Sequence, residues 1–480
     1  MSISVSLCPK RVFEFFEEIS AVPRGSGNMK QIADYCLKFA QKHSLKAVTD
    51  DANNVVIFKN AAAGYENAEP IILQGHLDIV CQKTEESTVD FQKDGLELYV
   101  DGDYLKAKGT TLGADNGIAV AMILAILEDD NIPHPAIEAV FTADEEIGMI
   151  GASKLDVKIL NGKRMINLDS EDVDSATVSC AGGSDFKATV PFERTISNGT
   201  EVLVTLKGLK GGHSGICINE GRINANILAG RFLDYINKND DFDIISIAGG
   251  DKGNAIPLGC EIKLCVNNAE SFKQKSEGYL GIIKEELAAR EPNFEFNVAI
   301  GKEGGYKTVP HGLKDKLIFA LLCAPCGVVE MSAEIEGLVE TSLNLGILKT
   351  EEDNILFNFT LRSNKKSALC FLEQKLTTFF TCVSAKIETS GYYPPWEFNS
   401  DSEMQRIYEE MFREQFGKDP KIEAIHAGLE CGVFSDKIKD FDGIAIGPQL
   451  YDVHTVNERL SISSTTEIYN LLLKILKSCH

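Results

Sequence analysis

Strand-like and helix-like stretches alternate through the N-terminal part of the chain, and this alternation limits the fold more than any other feature. Apolar residues recur at helical spacing over 12–19 and 29–43, whereas 54–58 and 70–74 read as strands. A helix rich in Ala and Ile is predicted over 115–129, a strand over 136–142 and a short apolar strand over 164–168. Such an order predicts an α/β domain around a mostly parallel central sheet. In sheets of this kind functional groups collect beyond the carboxyl ends of the strands. Asp78, Glu145 and Asp169 each stand just after a predicted strand.

The texture changes after Gly182-Gly183. Strands are expected over 201–206, 243–248, 260–266 and 293–300, with helices over 223–237 and 271–290. A similar succession follows: helix 314–326, strands 341–348 and 355–362, helix 367–383, strand 386–390. Two ββαβ-like units in tandem predict an inserted α+β domain over 183–395 that is internally duplicated. Gly391-Tyr-Tyr-Pro-Pro-Trp396 breaks the chain again, and 396–480 returns to the α/β pattern. The expected architecture is one α/β domain, 1–182 with 396–480, interrupted by the inserted one.

Composition narrows the function. The 480 residues carry 48 basic and 71 acidic side chains, a formal charge of −23. That balance opposes nucleic-acid binding, which needs Lys and Arg to displace counterions, and opposes docking on anionic membranes. No apolar run reaches the roughly 18 residues of a membrane span, and the first residues lack the pattern of a signal peptide. Thirteen scattered cysteines read as free thiols of a cytoplasmic protein, not as a disulfide framework. Cys323-Ala-Pro-Cys326 has the spacing of a redox pair but lies in an apolar stretch, and structural thiols are the expectation.

The chemistry is carried by a few polar residues in turn-like places. In Gly75-His76-Leu77-Asp78 the alternation of an extended chain turns His76 and Asp78 the same way, so one could ligate a metal and the other hold its ring. Asp452-Val453-His454 offers a second His beside a carboxylate, and Gly113-Ala-Asp115-Asn-Gly117 opens a helix where an acid could also be a cap. Asp144-Glu145-Glu146 and Asn167-Leu-Asp169 follow strands. Two His and three carboxylates suit a pair of zinc ions sharing one carboxylate, and with one bridging hydroxide the charges sum to zero. An acid beside a ligand but free of the metal, Glu145, would then serve as general base. His-Glu-x-x-His, Gly-x-Ser-x-Gly and phosphate-binding Gly-rich loops are absent.

At these residues the sequence resembles the co-catalytic zinc peptidases of the aminoacylase and carboxypeptidase G type. Gly75-His-Leu-Asp78, Gly113-Ala-Asp-Asn-Gly117, Asp144-Glu-Glu146, Gly211-Gly-His-Ser-Gly215, His426-Ala-Gly-Leu-Glu-Cys-Gly432 and His454 carry the resemblance, which runs from residue 12 to 473. It implies two zinc ions, with cobalt or manganese as substitutes that suit the same ligands. By the resemblance His76 and Asp169 would bind one ion, Glu146 and His454 the other, with Asp115 bridging. Asp78 would orient His76, Glu145 would be the general base and acid, and the Asp115–Asn116 peptide would be cis. The inserted domain would act as a lid in which His213 stabilises the oxyanion, Asn254 and Arg362 hold the substrate, Arg362 as a fork for a free carboxylate, and Gly428 belongs to the pocket. Asp at position 169, where deacylases and carboxypeptidases carry Glu, implies hydrolysis of unblocked dipeptides. An N-acyl amino acid amidohydrolase is the alternative. Peptides are the expected partners, together with a second copy through the lid, although a duplicated lid could supply within one chain the histidine that smaller relatives share across a dimer.

Overall fold

The helix Ala114–Glu128 is apolar on every side, and all its residues from Asn116 to Leu127 are buried. A helix without a polar face belongs inside a domain, and here it packs between the helix Lys10–Ser20 and the strand Ile71–His76. The structure, a computed structural model, describes Ser4 and residues 7–480. It divides into two units: Met1–Cys180 with Phe398–Ala424 and Leu429–His480, and Ala181–Glu397 with Ile425–Gly428. The sequence reading cut the chain at 182 and 396; the additional short segment 425–428, which carries Gly428, groups with the inserted unit.

The first unit is built on an eight-stranded sheet. Its order is Lys46–Thr49, Val55–Lys59, Ile137–Thr142, Ile71–His76, Arg164–Asn167, Asp442–Ala445, Ser175–Cys180 and Lys421–Ile425. The four middle strands, Ile137–Thr142 to Asp442–Ala445, run parallel; Val55–Lys59 and Ser175–Cys180 join them antiparallel on either side, and Lys46–Thr49 pairs antiparallel with Val55–Lys59. Three of the parallel strands, Ile137–Thr142, Ile71–His76 and Arg164–Asn167, are buried along their whole length, as strands covered on both faces must be. Register lines up their carboxyl ends: His76 lies opposite Thr142, and Gln74 opposite Asn167. A second, four-stranded sheet joins Leu98–Asp101 and Tyr104–Ala107 to the late hairpin Leu450–Tyr451 and Arg459–Ser461.

The second unit repeats one arrangement twice. One half of its sheet is ordered Glu295–Thr308, Thr195–Lys207, Cys260–Val266, Phe242–Gly249, with helices Ala225–Asn237 and Ala269–Leu287. Read inward from the opposite edge, the other half is Lys386–Tyr393, Gly182–Pro191, Asn354–Ser363, Val339–Thr350, with helices His311–Cys323 and Lys366–Cys382. Apart from the extra strand Gly327–Met331, which pairs with Val339–Thr350, each half has the chain order strand, helix, strand, strand, helix, strand, the second borrowing Gly182–Pro191 as its first strand. The halves meet where Ala248 and Gly249 pair with Lys349 and Leu348. No helix among the described residues is long and apolar enough to cross a membrane.

Candidate metal centre

Three parallel strands deliver most of the site. His76 ends the strand Ile71–His76, Glu145 and Glu146 follow Ile137–Thr142, and Asp169 follows Arg164–Asn167. Asp115 comes from the turn before the buried helix. That turn needs Gly113 in the left-handed region at φ 67°, and the Asp115–Asn116 peptide is cis. Asn116 ties turn and sheet together: its Oδ1 accepts the His76 N–H (3.1 Å) and its Nδ2 donates to the Leu168 carbonyl (2.8 Å). Gly75 makes room for it, since a Cβ there would stand 2.6 Å from Asn116 Oδ1 and 2.8 Å from Ala119 Cβ. His454 lies in the hairpin loop between Tyr451 and Arg459, with φ 62°.

These side chains converge. His76 Nε2 is 3.1 Å from Asp115 Oδ1 and 3.6 Å from Asp169 Oδ1. His454 Nε2 is 3.0 Å from Asp115 Oδ2 and 3.0 Å from Glu146 Oε1. Asp115 thus offers a different oxygen to each histidine. Candidate ligand atoms of His76, Asp115 and Glu146 all lie within 4.8 Å of one another. Asp78 is fully buried. Its Oδ1 is 3.4 Å from His76 Nδ1, but its main-chain carbonyl is closer, at 3.0 Å. The Asp78 carboxylate accepts the N–H groups of Glu145 (2.9 Å) and Glu146 (3.2 Å) and the Ser26 hydroxyl (2.8 Å). It therefore holds the segment carrying Glu145 and Glu146 as well as facing the His76 ring.

The electrostatics reflect crowded acids. Burial pushes Glu145 well above the usual carboxylate range, against the pull of His76 and with the help of Asp169, Glu430 and Glu146. Burial likewise raises Asp169 and Glu146. Burial opposes ionisation of Asp115, but the hydrogen bonds of His454 and His76 outweigh it and hold the group below its usual range. Hydrogen bonds to Asp115 and Glu146 push His454 up to about 11. Burial opposes the charge on His76, yet Asp169, Asp115 and Asp78 raise it well above its ordinary value. Three carboxylates and two imidazoles, with the negative groups in excess, are the donor set a pair of divalent cations requires. The residues fit such a group.

Several supporting residues carried no sequence signal. Glu430, fully buried, accepts hydrogen bonds from Gln74 (2.5 Å) and Thr142 (2.6 Å), and burial pushes its carboxyl up to about 7. Glu458 holds the Asp115 turn by its N–H groups, and Arg24 holds the same turn by a carbonyl. Beside Glu146 opens a cleft of ≈ 600 Å³, walled by Ile79, Val80, Cys81, Phe91 and Ile147.

The second unit gathers another group. His213 Nδ1 accepts the N–H groups of Gly215 and Ile216, both at 3.2 Å, so the proton of the neutral ring resides on Nε2. Burial and the Arg362 charge lower the His213 pKa and favour that neutral form. Arg362 donates to the Tyr393 hydroxyl (2.8 Å), while its buried Nε has no hydrogen-bond partner among the described residues. Gly215 separates His213, Arg362 and the His426 carbonyl: a Cβ there would stand 3.1, 3.2 and 2.4 Å from them. The Asn254 carbonyl accepts the Ser214 N–H at 2.9 Å, and Gly428 follows His426 by two residues. Cys323 and Cys326 are both free, with burial pushing the Cys326 thiol up to about 11.

Comparison with known proteins places the chain in a family. Residues 72–478 match the model of peptidase family M20/M25/M40. The chain is 36% identical over 481 residues to the cytosol non-specific dipeptidase of Escherichia coli (strain K12), covering 99% of each. Its fold matches the crystal structure of aminoacylhistidine dipeptidase from Vibrio alginolyticus with a TM-score of 0.90 at 35% identity, over 100% of this chain and 98% of that one. Aminopeptidase PepT from Bacillus cereus shares the fold alone, with a TM-score of 0.58 at 15% identity over 98% of this chain and 99% of that one. The chain belongs to the M20/M25/M40 family of peptidases.

Proposed function

We propose that the chain is a cytoplasmic dipeptidase that hydrolyses unblocked dipeptides, Xaa-His among them, at a centre of two divalent metal ions, zinc in the first place. One observation carries this reading: Asp115 turns one oxygen to His76 beside Asp169 and the other to His454 beside Glu146. His76 and Asp169 would hold one ion, His454 and Glu146 the other, and Asp115 both. When bound, such ions acidify a water molecule and polarise the scissile carbonyl.

The protein's own groups do the rest. Glu145, which burial holds well above the usual carboxylate range and so makes a stronger base, accepts the proton of the attacking water at its carboxylate and returns it to the leaving amine. Asp78 keeps Glu145 and Glu146 in place through their N–H groups. The Nε2–H of neutral His213 is the donor suited to the developing oxyanion. Arg362 is the fork for the free carboxylate of the substrate, with Asn254 and Gly428 supplying polar main-chain and side-chain contacts. The cleft beside Glu146 takes a substrate side chain; its apolar wall is broad enough for many residue types. The relatives that carry dipeptidase names, one of them cytosolic by name, support the substrate class and the compartment.

The test is product release by the Zn²⁺-loaded protein from Ala-His, N-acetyl-Ala-His, Ala-His amide and a tripeptide. Cleavage of the free dipeptide alone is expected. Cleavage of the acetylated form in its place would overturn the reading in favour of the N-acyl amino acid amidohydrolase, which the Asp at position 169 argues against.

A further inference from the structure

The first N–H groups of a helix have no intrahelical partner and are normally capped by a neighbouring side chain. The helix Ala114–Glu128 has no local cap, because Gly113 stands at the capping position. The turn that leads into it is held from the far end of the chain. Glu458 Oε2 accepts the N–H groups of Leu112 (2.8 Å) and Gly113 (2.9 Å), and Oε1 those of Ala114 (2.8 Å) and Asp115 (3.3 Å). Asp115 and Asn116 leave helical φ/ψ, so these amides form a nest in the turn before the helix proper; they favour the charged carboxylate against burial, which raises Glu458 above its ordinary range. Arg24, equally buried, donates to the carbonyls of Gly113 (2.6 Å) and Leu77 (3.1 Å). Two buried charges of opposite sign therefore grip one turn, one by its amides and the other by a carbonyl, and Arg24 joins that turn to the residue after His76.

The loop that carries Glu458 also carries His454. It is pinned within itself: the Thr455 hydroxyl donates to the Asp452 carbonyl (2.7 Å), the Asn457 N–H to Thr455 Oγ1 (3.1 Å), the Glu458 N–H to the Thr455 carbonyl (3.2 Å), and Arg459 pairs with Asp452. We infer that Glu458 is a positioning residue for the metal centre: it locks the turn bearing Asp115 to the loop bearing His454, so that the two ligands keep one spacing whether or not metal is bound. Asp115 must aim two oxygens at two histidines at once, and a turn free to rock about Gly113 could not do so. The inference rests on the reading of Asp115 and His454 as ligands.

The test titrates metal-free protein with Zn²⁺ in competition with a chromophoric chelator. Glu458→Gln keeps the shape but turns an amide NH₂ toward two of the four N–H groups, and its Zn²⁺ affinity should fall about 10- to 100-fold. Glu138→Gln is the control. Glu138 is a buried carboxylate holding the N–H groups of Asn161 (2.9 Å) and Gly162 (3.0 Å), at the opposite end of the strand that leads to Glu145. It should lower the melting temperature and leave Zn²⁺ affinity unchanged. Glu458→Gln binding within twofold of wild type, or Glu138→Gln weakening binding as much, overturns the inference. Asp115→Asn separates the two readings. If it binds Zn²⁺ like wild type, the ligand reading fails and this one with it; if it loses Zn²⁺ while Glu458→Gln does not, only the clamp fails. Should Glu458→Gln not fold, amide exchange of metal-free wild type decides: slow exchange at 112–115 is expected, and fast exchange there overturns the clamp.

Discussion

Glu145 and Glu146 are adjacent and chemically alike, yet the structure gives them different surroundings. Glu146 faces His454 at 3.0 Å, whereas Glu145 has no histidine at hydrogen-bond distance and is the more strongly raised of the two. Glu145→Gln should therefore lower kcat by about 10²- to 10⁴-fold and leave bound zinc, measured by atomic absorption, unchanged. A near-wild-type rate would remove Glu145 from the role of base. His426 offers a test of a different kind in the second unit. Burial, with the charges of Arg362 and His213, lowers its pKa to about 3, and its ring sits between Ser342 (2.7 Å) and Asn364 (3.3 Å). The folded state thus refuses a proton that the unfolded state accepts below about 6.5. Stability is retained above that pH and lost as pH falls from about 6.5 toward 3, by up to about 1.4 kcal/mol per pH unit. The stability gap between wild type and His426→Gln, from urea unfolding, should narrow by about 2 kcal/mol between pH 7 and pH 5; a gap independent of pH would contradict it. The candidate ligands and base stood out in the sequence because each lies in a short polar interruption of an apolar pattern. Glu430, Glu458 and Arg24 were not, because their partners lie far away in sequence, more than 340 residues away for Glu458.

Elements were legible where the apolar period is clean. The helices predicted over 12–19 and 29–43 form as Lys10–Ser20 and Lys30–Lys42, and the strand over 260–266 forms as Cys260–Val266. The strand Gly182–Pro191 was missed because it opens on Gly-Gly at a change of texture, and the helix Glu430–Lys437 because Gly432 interrupts its pattern. The sheet expected to be mostly parallel is so through its four middle strands, and the antiparallel pairings of Lys46–Thr49, Val55–Lys59 and Ser175–Cys180 were not legible, since strand direction depends on connections that local patterns do not encode. The packing of Ala114–Glu128 on Ile71–His76 was equally hidden, and it gives a test of the elements themselves. Gly75→Ala sets a methyl group against Asn116 Oδ1 and Ala119 Cβ, both closer than 3 Å. Neither neighbour is a free chain end, so overpacking should cost about 1–3 kcal/mol in urea unfolding. Displacement of Asn116 from the His76 N–H should weaken Zn²⁺ binding as well, and an unperturbed variant would mean that helix and strand are less tightly fitted than the structure has them.

At the scale of the whole molecule, the two units divide the chemistry unequally. Every proposed metal ligand, the base and the clamp belong to the unit of Met1–Cys180, Phe398–Ala424 and Leu429–His480, while His213, Asn254, Arg362 and Gly428 belong to the other. Metal-free, the first unit must hold Asp115, Glu146 and Asp169 together against their mutual repulsion with only two imidazoles to offset them. A cation that binds the folded site and not the unfolded chain stabilises by mass action, about 2.7 kcal/mol when free metal exceeds Kd by ~100-fold. That stabilisation should be local. Hydrogen exchange of metal-free and Zn²⁺-loaded protein, without substrate, should slow at 76–78, 112–117, 144–146, 167–171 and 452–458. The strands Gly182–Pro191, Thr195–Lys207 and Asn354–Ser363 of the other unit should exchange at the same rate in both states. These strands carry no proposed ligand, and the hydrogen bonds of their ladders are complete without one. Equal protection across both units would mean that metal acts on the molecule by another route, and no protection at the five segments would place the ions elsewhere.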